Sequence, residues 1–360
     1  MSVGKVGEVL TTDVNRIILP RMKSLYGRVC LLVLAGLSLL AGCGKEESTA
    51  STAAPVVRVG YFANMTHAQA VLGVASGDFP KAVSPARLET KIFNAGPSLV
   101  EAMLAGEIDI GYVGPGPAIS GFTVSSGKGL RIISGAAANG VIIVARADAP
   151  IQSLADLAGK RIATPQIANT QDIAARHYVS SELKQSDLSG VMPIPNAEQA
   201  SLMERSQIDA AWVPEPWGSR LIIESKARLI AEEKDLWPGG MFATTVVVAT
   251  PQFIHEHPEI VARLLDSHRS WTAKLNAAPE AQLPLLKTAL FGLTRKQLPA
   301  GTLEQAIKRV SFTDDALKDS LQTMAQWTHQ LGFAKQAPKL EGLIDSRFAL
   351  PVSTETKKVN

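Results

Sequence analysis

Four short segments concentrate the residues that could do chemistry: Asn64-Met65-Thr66-His67, Asn94-Ala95-Gly96-Pro97-Ser98, Gly114-Pro115-Gly116-Pro117-Ala118 and Ala168-Asn169-Thr170-Gln171-Asp172. All are small, polar and free of Lys and Arg. Each stands where a short apolar run gives way to an amphipathic stretch, so each reads as a strand-to-helix turn. A helix start leaves backbone N–H groups without partners and carries about half a positive charge. Several starts aimed at one point hold an anion without a cationic side chain. Taken singly, the Asn, Ser and Thr of these turns serve equally well as caps of their own helices, Asn169 and Thr170 above all. Four such turns at one set of strand ends point to a binding site. His67 is the one histidine among them, either a donor to an anion or a plain first-turn residue.

A second group lies at Trp212-Val213-Pro214-Glu215-Pro216-Trp217. The two tryptophans could wall a pocket for an apolar tail or a flat ring. Strand alternation makes Trp212 the better core candidate. Glu215 could hold a ligand amine, orient its neighbours or face outward; beside a bare anion it is unfavourable unless paired. Signatures of catalysis are poor. The six histidines are scattered, and His255-Glu256-His257 precedes Pro258 with no second ligand cluster, so no metal is expected. There is no Gly-x-Ser-x-Gly turn and no phosphate-cradling Gly-rich loop with Lys. No cofactor is implied.

The elements that must position these residues alternate in β/α fashion from Val56 onward. Strands are expected at Val56–Phe62, Leu88–Phe93, Ile108–Val113, Leu130–Ala138 and Val141–Ala145. A second set follows, at Arg161–Thr164, Val191–Pro195, Ala210–Val213, near Arg228–Ala231 and at Thr244–Ala249. From Pro251 to about Leu331 the pattern is mostly helical, punctuated by Pro258, Pro279, Pro284 and Pro299. One internal echo organises the chain. Ile108-Asp109-Ile110-Gly111-Tyr112-Val113-Gly114-Pro115-Gly116-Pro117 matches Ile208-Asp209-Ala210-Ala211-Trp212-Val213-Pro214-Glu215-Pro216-Trp217 in spacing, and each follows a helix containing Met103 or Met203. The echo implies two lobes, each presenting a strand end to a shared cleft, where ligands of open α/β sheets sit.

The N-terminal segment is an address. Arg21, Lys23 and Arg28 precede an uncharged run, Val29 to Leu40, that closes on Leu40-Ala41-Gly42-Cys43. About a dozen apolar residues are too few to span a bilayer and suit an export signal. The segment resembles the bacterial lipoprotein signal, which implies cleavage before Cys43 and lipid on it. Met22 is the more ordinary start for such a signal. Residues 1–42 carry a formal +3, the same as the whole chain, so the mature protein is formally neutral. No basic face speaks for nucleic acid. Only Cys30 and Cys43 exist, so the mature fold has no disulfide. Residues 44–55 read as a flexible tether.

Gly60-Tyr61-Phe62-Ala63-Asn64-Met65-Thr66-His67, Phe93-Asn94-Ala95-Gly96-Pro97-Ser98, Tyr112-Val113-Gly114-Pro115, the run Ala163 to Ala174 and Ala210 to Trp217 together resemble the periplasmic binding proteins for aliphatic sulfonates, nitrate and taurine. The resemblance covers nearly all of 56–333 and overlaps with binders of thiamine-pyrimidine precursors. It implies the type II, Venus-flytrap architecture: two α/β lobes of mixed sheets flanked by helices, joined by two hinge crossovers. Lobe one is then 56–145 plus 245–335, lobe two 146–244, with a tail at 336–360 and hinges near Arg146–Asp148 and Thr244. The implied role is that of a monomeric binder that closes on a small anion and delivers it to an ABC permease and its ATPase. The implied site takes Asn64, Thr66, His67, Gly96, Ser98, Gly114, Asn169 and Thr170 for the anionic head. Met65, Trp212, Glu215 and Trp217 shape the remainder. A pyrimidine binder, or an enzyme of the same fold, is the competing expectation.

Overall fold

The computed structural model describes residues 54–348; Cys43, the apolar run before it and the last twelve residues lie outside them. Two sheets organise the chain. The first collects β1 (Val56–Phe62), β2 (Arg87–Phe93), β3 (Ile110–Val113) and β4 (Arg131–Asn139), and is completed by β10 (Ala243–Ala249) and β11 (Val310–Phe312). The second holds β5 (Val141–Ala145), β6 (Ile162–Thr164), β7 (Val191–Pro193), β8 (Ala210–Pro214) and β9 (Arg228–Glu232). Their orders are β11-β4-β10-β3-β1-β2 and β7-β6-β8-β5-β9. β1 runs parallel to β2 and β3, and β6 parallel to β7 and β8; β10 and β5 are antiparallel to both of their neighbours. Both sheets are therefore mixed.

Within the first lobe run helices α1 (Ala68–Ala75), α2 (Asp78–Val83), α3 (Gly96–Leu104) and α4 (Pro115–Val124). The second lobe contributes α5 (Thr170–His177), α6 (Asn196–Glu204) and α7 (Trp217–Glu224). Beyond β10 come α8 (Pro251–Glu256), α9 (Pro258–Ala277), α10 (Leu283–Thr294), α11 (Thr302–Ala306) and α12 (Lys318–Gln330). None of the described helices is long and apolar enough to cross a membrane.

Burial explains why the C-terminal third returns. Alternate β1 residues Val57, Val59 and Tyr61 share one apolar cluster with Leu264, Leu265 and Trp271 of α9 and Leu286 and Leu290 of α10. A strand shows alternate side chains to one face, and α9 presents its apolar stripe at helical spacing to that face. Ile142, Val144, Ala211 and Val213 form a second-lobe cluster with Met203 and Leu221. Their strand neighbours Ile143, Ala210 and Trp212 belong to a third cluster shared with Ile119 and Val246 of the first lobe. β5 and β8 are thus buried on both faces, which accounts for their unbroken apolar runs. Edge strand β2 keeps Arg87, Glu89 and Lys91 exposed, charges that discourage edge pairing.

The internal echo is structural. Arg58 donates from N and Nε to Asp109 Oδ2 at 2.8 and 2.9 Å and from Nη2 to Oδ1 at 2.6 Å. Arg161 repeats the clasp on Asp209 at 3.0, 2.9 and 2.7 Å. The helices ahead of each Asp also end alike. Gly106 and Glu107 donate to the carbonyls of Met103 and Ala102, and Ser206 and Gln207 to those of Met203 and Leu202. Both are Schellman closures with a left-handed residue, Gly106 or Ser206.

The crossovers differ from expectation. The resemblance puts β5 in lobe one and a hinge near Arg146–Asp148, but β5 pairs with β8 and β9. The chain changes sheets at Asn139-Gly140, both left-handed (φ +59° and +69°). A turn dipeptide, not a charged loop, makes the crossing, and at Gly140 a Cβ would also collide with Val310. The return crossing is the segment 233–242, just before Thr244. The helical reading of 251–331 missed β11, a three-residue strand whose period is too short to see.

Candidate functional site

The carboxyl ends of β1, β3, β6 and β8 face one another, and a small cavity lies between them. Its walls include Phe62, Asn64, Thr66 and His67 after β1, Gly96, Gly114 and Pro117 at the starts of α3 and α4, Asn169, Thr170 and Gln171 at the start of α5, and Pro214, Thr244 and Thr245. The space open to a water-sized sphere is about 20 Å³, of the order that one water needs. No Lys, Arg, Asp or Glu is on that wall.

Four side chains there each have an acceptor engaged by an obligate donor. Trp217 Nε1 donates to Asn64 Oδ1 at 2.6 Å. Asp172 N donates to Asn169 Oδ1 at 2.9 Å. Gly116 N donates to Thr170 Oγ1 at 3.2 Å. Phe62 N donates to His67 Nδ1 at 3.3 Å. Indole and amide N–H groups can only donate, so these contacts fix both Asn orientations and place the imidazole proton on Nε2. What remains is two Asn amide groups, one hydroxyl proton and one imidazole N–H. Complete burial lowers the His67 pKa to about 3, so the ring is a neutral donor. Thr244 differs: its hydroxyl donates to the Asn139 carbonyl.

The helix starts behave less uniformly than the sequence suggested. At α5, Asn169 caps through Asp172 N while Thr170 and Gln171 line the cavity; capping and lining are the same geometry. Asp172 is buried, accepts from Thr164 Oγ1, Ala168 N and Arg176 Nε at 2.8, 2.9 and 2.8 Å, and so holds the loop that carries Asn169. The first turn of α4 offers no spare N–H, because Pro115 and Pro117 have none and Gly116 is bound to Thr170. Gly114 serves contact between the lobes: a Cβ there would collide with Thr170 Oγ1. At α3, Gly96 lines the cavity and lets Pro117 approach, whereas Ser98, expected to hold the anion, is exposed and off the wall.

The expected tail pocket is not assembled. Met65 is core, and its amide donates to the Glu215 carbonyl at 3.2 Å. Trp212 is also core, its Nε1 donating to Glu233 Oε2 at 2.5 Å. Trp217 stands behind Asn64 as its hydrogen-bond partner, off the cavity wall. Glu215 is fully buried, accepting from Ser219 N and Oγ at 2.9 Å each and from Arg309 Nη1 at 3.0 Å. Arg309 lies just ahead of β11, so this ion pair fastens lobe to lobe. Burial raises the Glu215 pKa against the opposing pull of Ser219 and Arg309. Sequence reading missed Phe62, Pro117, Gln171, Pro214, Thr244, Thr245 and the partner role of Arg309. Gln171 lies within the Ala168–Asp172 turn and is legible there; Arg309, 94 residues from Glu215, carries no local signal.

Two mixed α/β lobes closing a donor-lined cleft define the fold of the periplasmic substrate-binding proteins. The chain belongs to the NMT1-like family, which it matches over residues 51–283. A Brucella abortus protein named "Putative binding protein" is 27% identical over 211 residues, and the match spans 58% of this chain and 63% of that relative's length. The taurine-binding periplasmic protein of Escherichia coli is 26% identical over 261 residues, 66% of this chain and 78% of its own. In fold, the chain is similar to the alkanesulfonate-binding protein SsuA of Xanthomonas axonopodis pv. citri, solved bound to MOPS, with TM-score 0.62 and 20% identity over 82% of this chain and 97% of the other.

Proposed function

We propose that this chain is the substrate-binding component of an ABC importer, and that it captures a small oxyanion, an aliphatic sulfonate before taurine or nitrate, by closure of its two lobes. One observation carries the reading: obligate donors occupy Asn64 Oδ1, Asn169 Oδ1, Thr170 Oγ1 and His67 Nδ1, so these four side chains have donors left for a ligand. A site of neutral donors suits a ligand rich in acceptors and poor in protons. A sulfonate keeps its charge at ordinary pH, and the start of α5 supplies the opposing partial charge. A carboxylate with an ammonium group would want a cation and an anion on the wall, and neither is there. The sulfonate and taurine ligands in the names of the relatives support the same class.

Entry requires the lobes to part, since about 20 Å³ will not admit a sulfonate. Asn139-Gly140 and 233–242 are the segments that would turn, and a ligand bound to both lobes favours the closed form by its differential affinity. Lipid on Cys43 would keep the binder beside its permease. Thermal unfolding of the purified chain with alkanesulfonates, taurine, nitrate and pyrimidines tests the ligand class: sulfonates should raise the melting temperature by mass action. A shift with pyrimidines alone would overturn it. Replacing Cys43 with Ser should move the protein from the membrane to the soluble fraction.

A further inference from the structure

We infer that Thr245 is a ligand-contacting residue, its hydroxyl donating to an acceptor atom of the bound anion from the strand side of the cleft. The inference rests on the oxyanion reading above. Thr245 lies on β10, is 1% exposed and lines the cavity. Its Oγ1 is buried with no hydrogen-bond partner. Buried hydroxyls nearly always have partners, because an unmet one keeps its full desolvation cost. The atom therefore calls for a specific explanation, and the cavity beside it supplies one.

The local backbone supports a positioned side chain. Opposite β4, the register of β10 shifts on both sides of Thr245: Ala243 pairs with Ala138, Thr245 with Ala137, and Val246 with Gly135. In a regular strand Thr244 and Thr245 would face opposite ways. Irregularity of this kind re-aims side chains, and both threonines reach the cavity wall. They then divide the work. Thr244 spends its proton on the Asn139 carbonyl at the first crossover, while the Thr245 proton is uncommitted. The donors of Asn169 and Thr170 come from the second lobe, and Thr245 adds one from the first lobe's central sheet. A ligand held between them touches both lobes.

The test compares T245V and T245S with the unmodified full-length chain, using ethanesulfonate, taurine, nitrate and a hydroxymethylpyrimidine in calorimetric titration and thermal unfolding. T245V replaces the hydroxyl by a methyl of like size. It should melt, without ligand, at or above the unmodified temperature and bind ethanesulfonate at least about tenfold more weakly. T245S should bind within about threefold. Equal ethanesulfonate affinity in T245V overturns the role of Thr245 and leaves the sulfonate reading standing. A marked loss of melting temperature in ligand-free T245V also overturns it, since the hydroxyl would then serve the fold. If the unmodified chain binds only nitrate or the pyrimidine, the sulfonate reading falls, and T245V against T245S with that ligand still judges Thr245. Binding of nothing in the panel overturns both.

Discussion

Trp217 and Asn64 join the two lobes by one hydrogen bond, indole Nε1 to amide Oδ1 at 2.6 Å. Trp217 opens α7 in the second lobe, and Asn64 follows β1 in the first. Asn64 does not cap the short turn it precedes; its carbonyl is spent across the cleft and its amide group is thereby oriented. The bond exists only while the lobes are together, so it contributes to closure as well as to the donor set.

Trp217→Phe should therefore keep the ring's packing while releasing Asn64. A typical net hydrogen bond contributes about 0.5–1.5 kcal/mol. A loss of about three- to tenfold in ligand affinity is expected, with the melting temperature of the ligand-free protein falling by only a few degrees. Titration calorimetry with an alkanesulfonate checks it. Unchanged affinity would show that the bond takes no part in binding.

Arg309→Met should be far more costly. Glu215 is 0% exposed at its side chain and Arg309 17%, so removing the cation strands a buried carboxylate, at about 3–5 kcal/mol for pairs of this kind. The sign of the pH effect follows from the raised Glu215 pKa. A carboxyl with a raised folded-state pKa favours the fold at pH below its unfolded value and loses that contribution as pH rises. Without Arg309 the elevation grows, so the deficit measured by urea unfolding should widen from about pH 4.5 upward. A deficit that narrows with rising pH would contradict this.

How much of this was legible differs by element. Apolar periodicity locates every strand except β11 and the helices of the C-terminal third, most clearly where burial on two faces leaves long apolar runs, as in β5 and β8. The Ile-Asp echo was visible as spacing, but its cause was hidden: Asp109 and Asp209 each need an Arg 51 or 48 residues earlier. At the site, turn composition located Asn64, His67, Asn169 and Thr170. It overreached at Ser98 and the tryptophans, since composition does not say which side of a turn faces the cleft. Thr245 and Arg309 depend on a strand irregularity and a long-range pairing that no local window contains.

Gly114→Ala tests the approach of the lobes. Its methyl would collide with Thr170 Oγ1, so either Thr170 rotates away from its bond to Gly116 N or the lobes part. The first-lobe cluster around β1 and the second-lobe cluster around Met203 are untouched by the change, so the ligand-free melting temperature should fall by only a few degrees. Ligand affinity should fall at least about tenfold, and small-angle scattering with ligand should report a more open molecule. Wild-type affinity would show that Thr170 has another rotamer to adopt.

His67 and Glu233 set opposing pH slopes. Burial lowers the His67 pKa to about 3, against about 6.5 for an unfolded chain. The unfolded state then binds the extra proton, so this contribution is complete above about pH 6.5 and is lost as pH falls toward 3, by roughly 4–5 kcal/mol in full. Glu233 is raised to about 7 by burial, although it accepts from both Trp212 Nε1 and Trp237 Nε1. Its contribution is complete below about pH 4.5 and is lost as pH rises through 7. Replacing Glu233 with Gln sets an amide N–H₂ against an indole N–H, a cost of about 1–3 kcal/mol for the unmet donor, and removes the slope on the alkaline side. Replacing His67 with Gln removes the acid slope. Ligand binding should stay flat from pH 5 to 8, because the imidazole is neutral throughout. An affinity that rises as pH drops through 6.5 would mean that His67 binds as a cation, and the neutral-donor account of the site would fail.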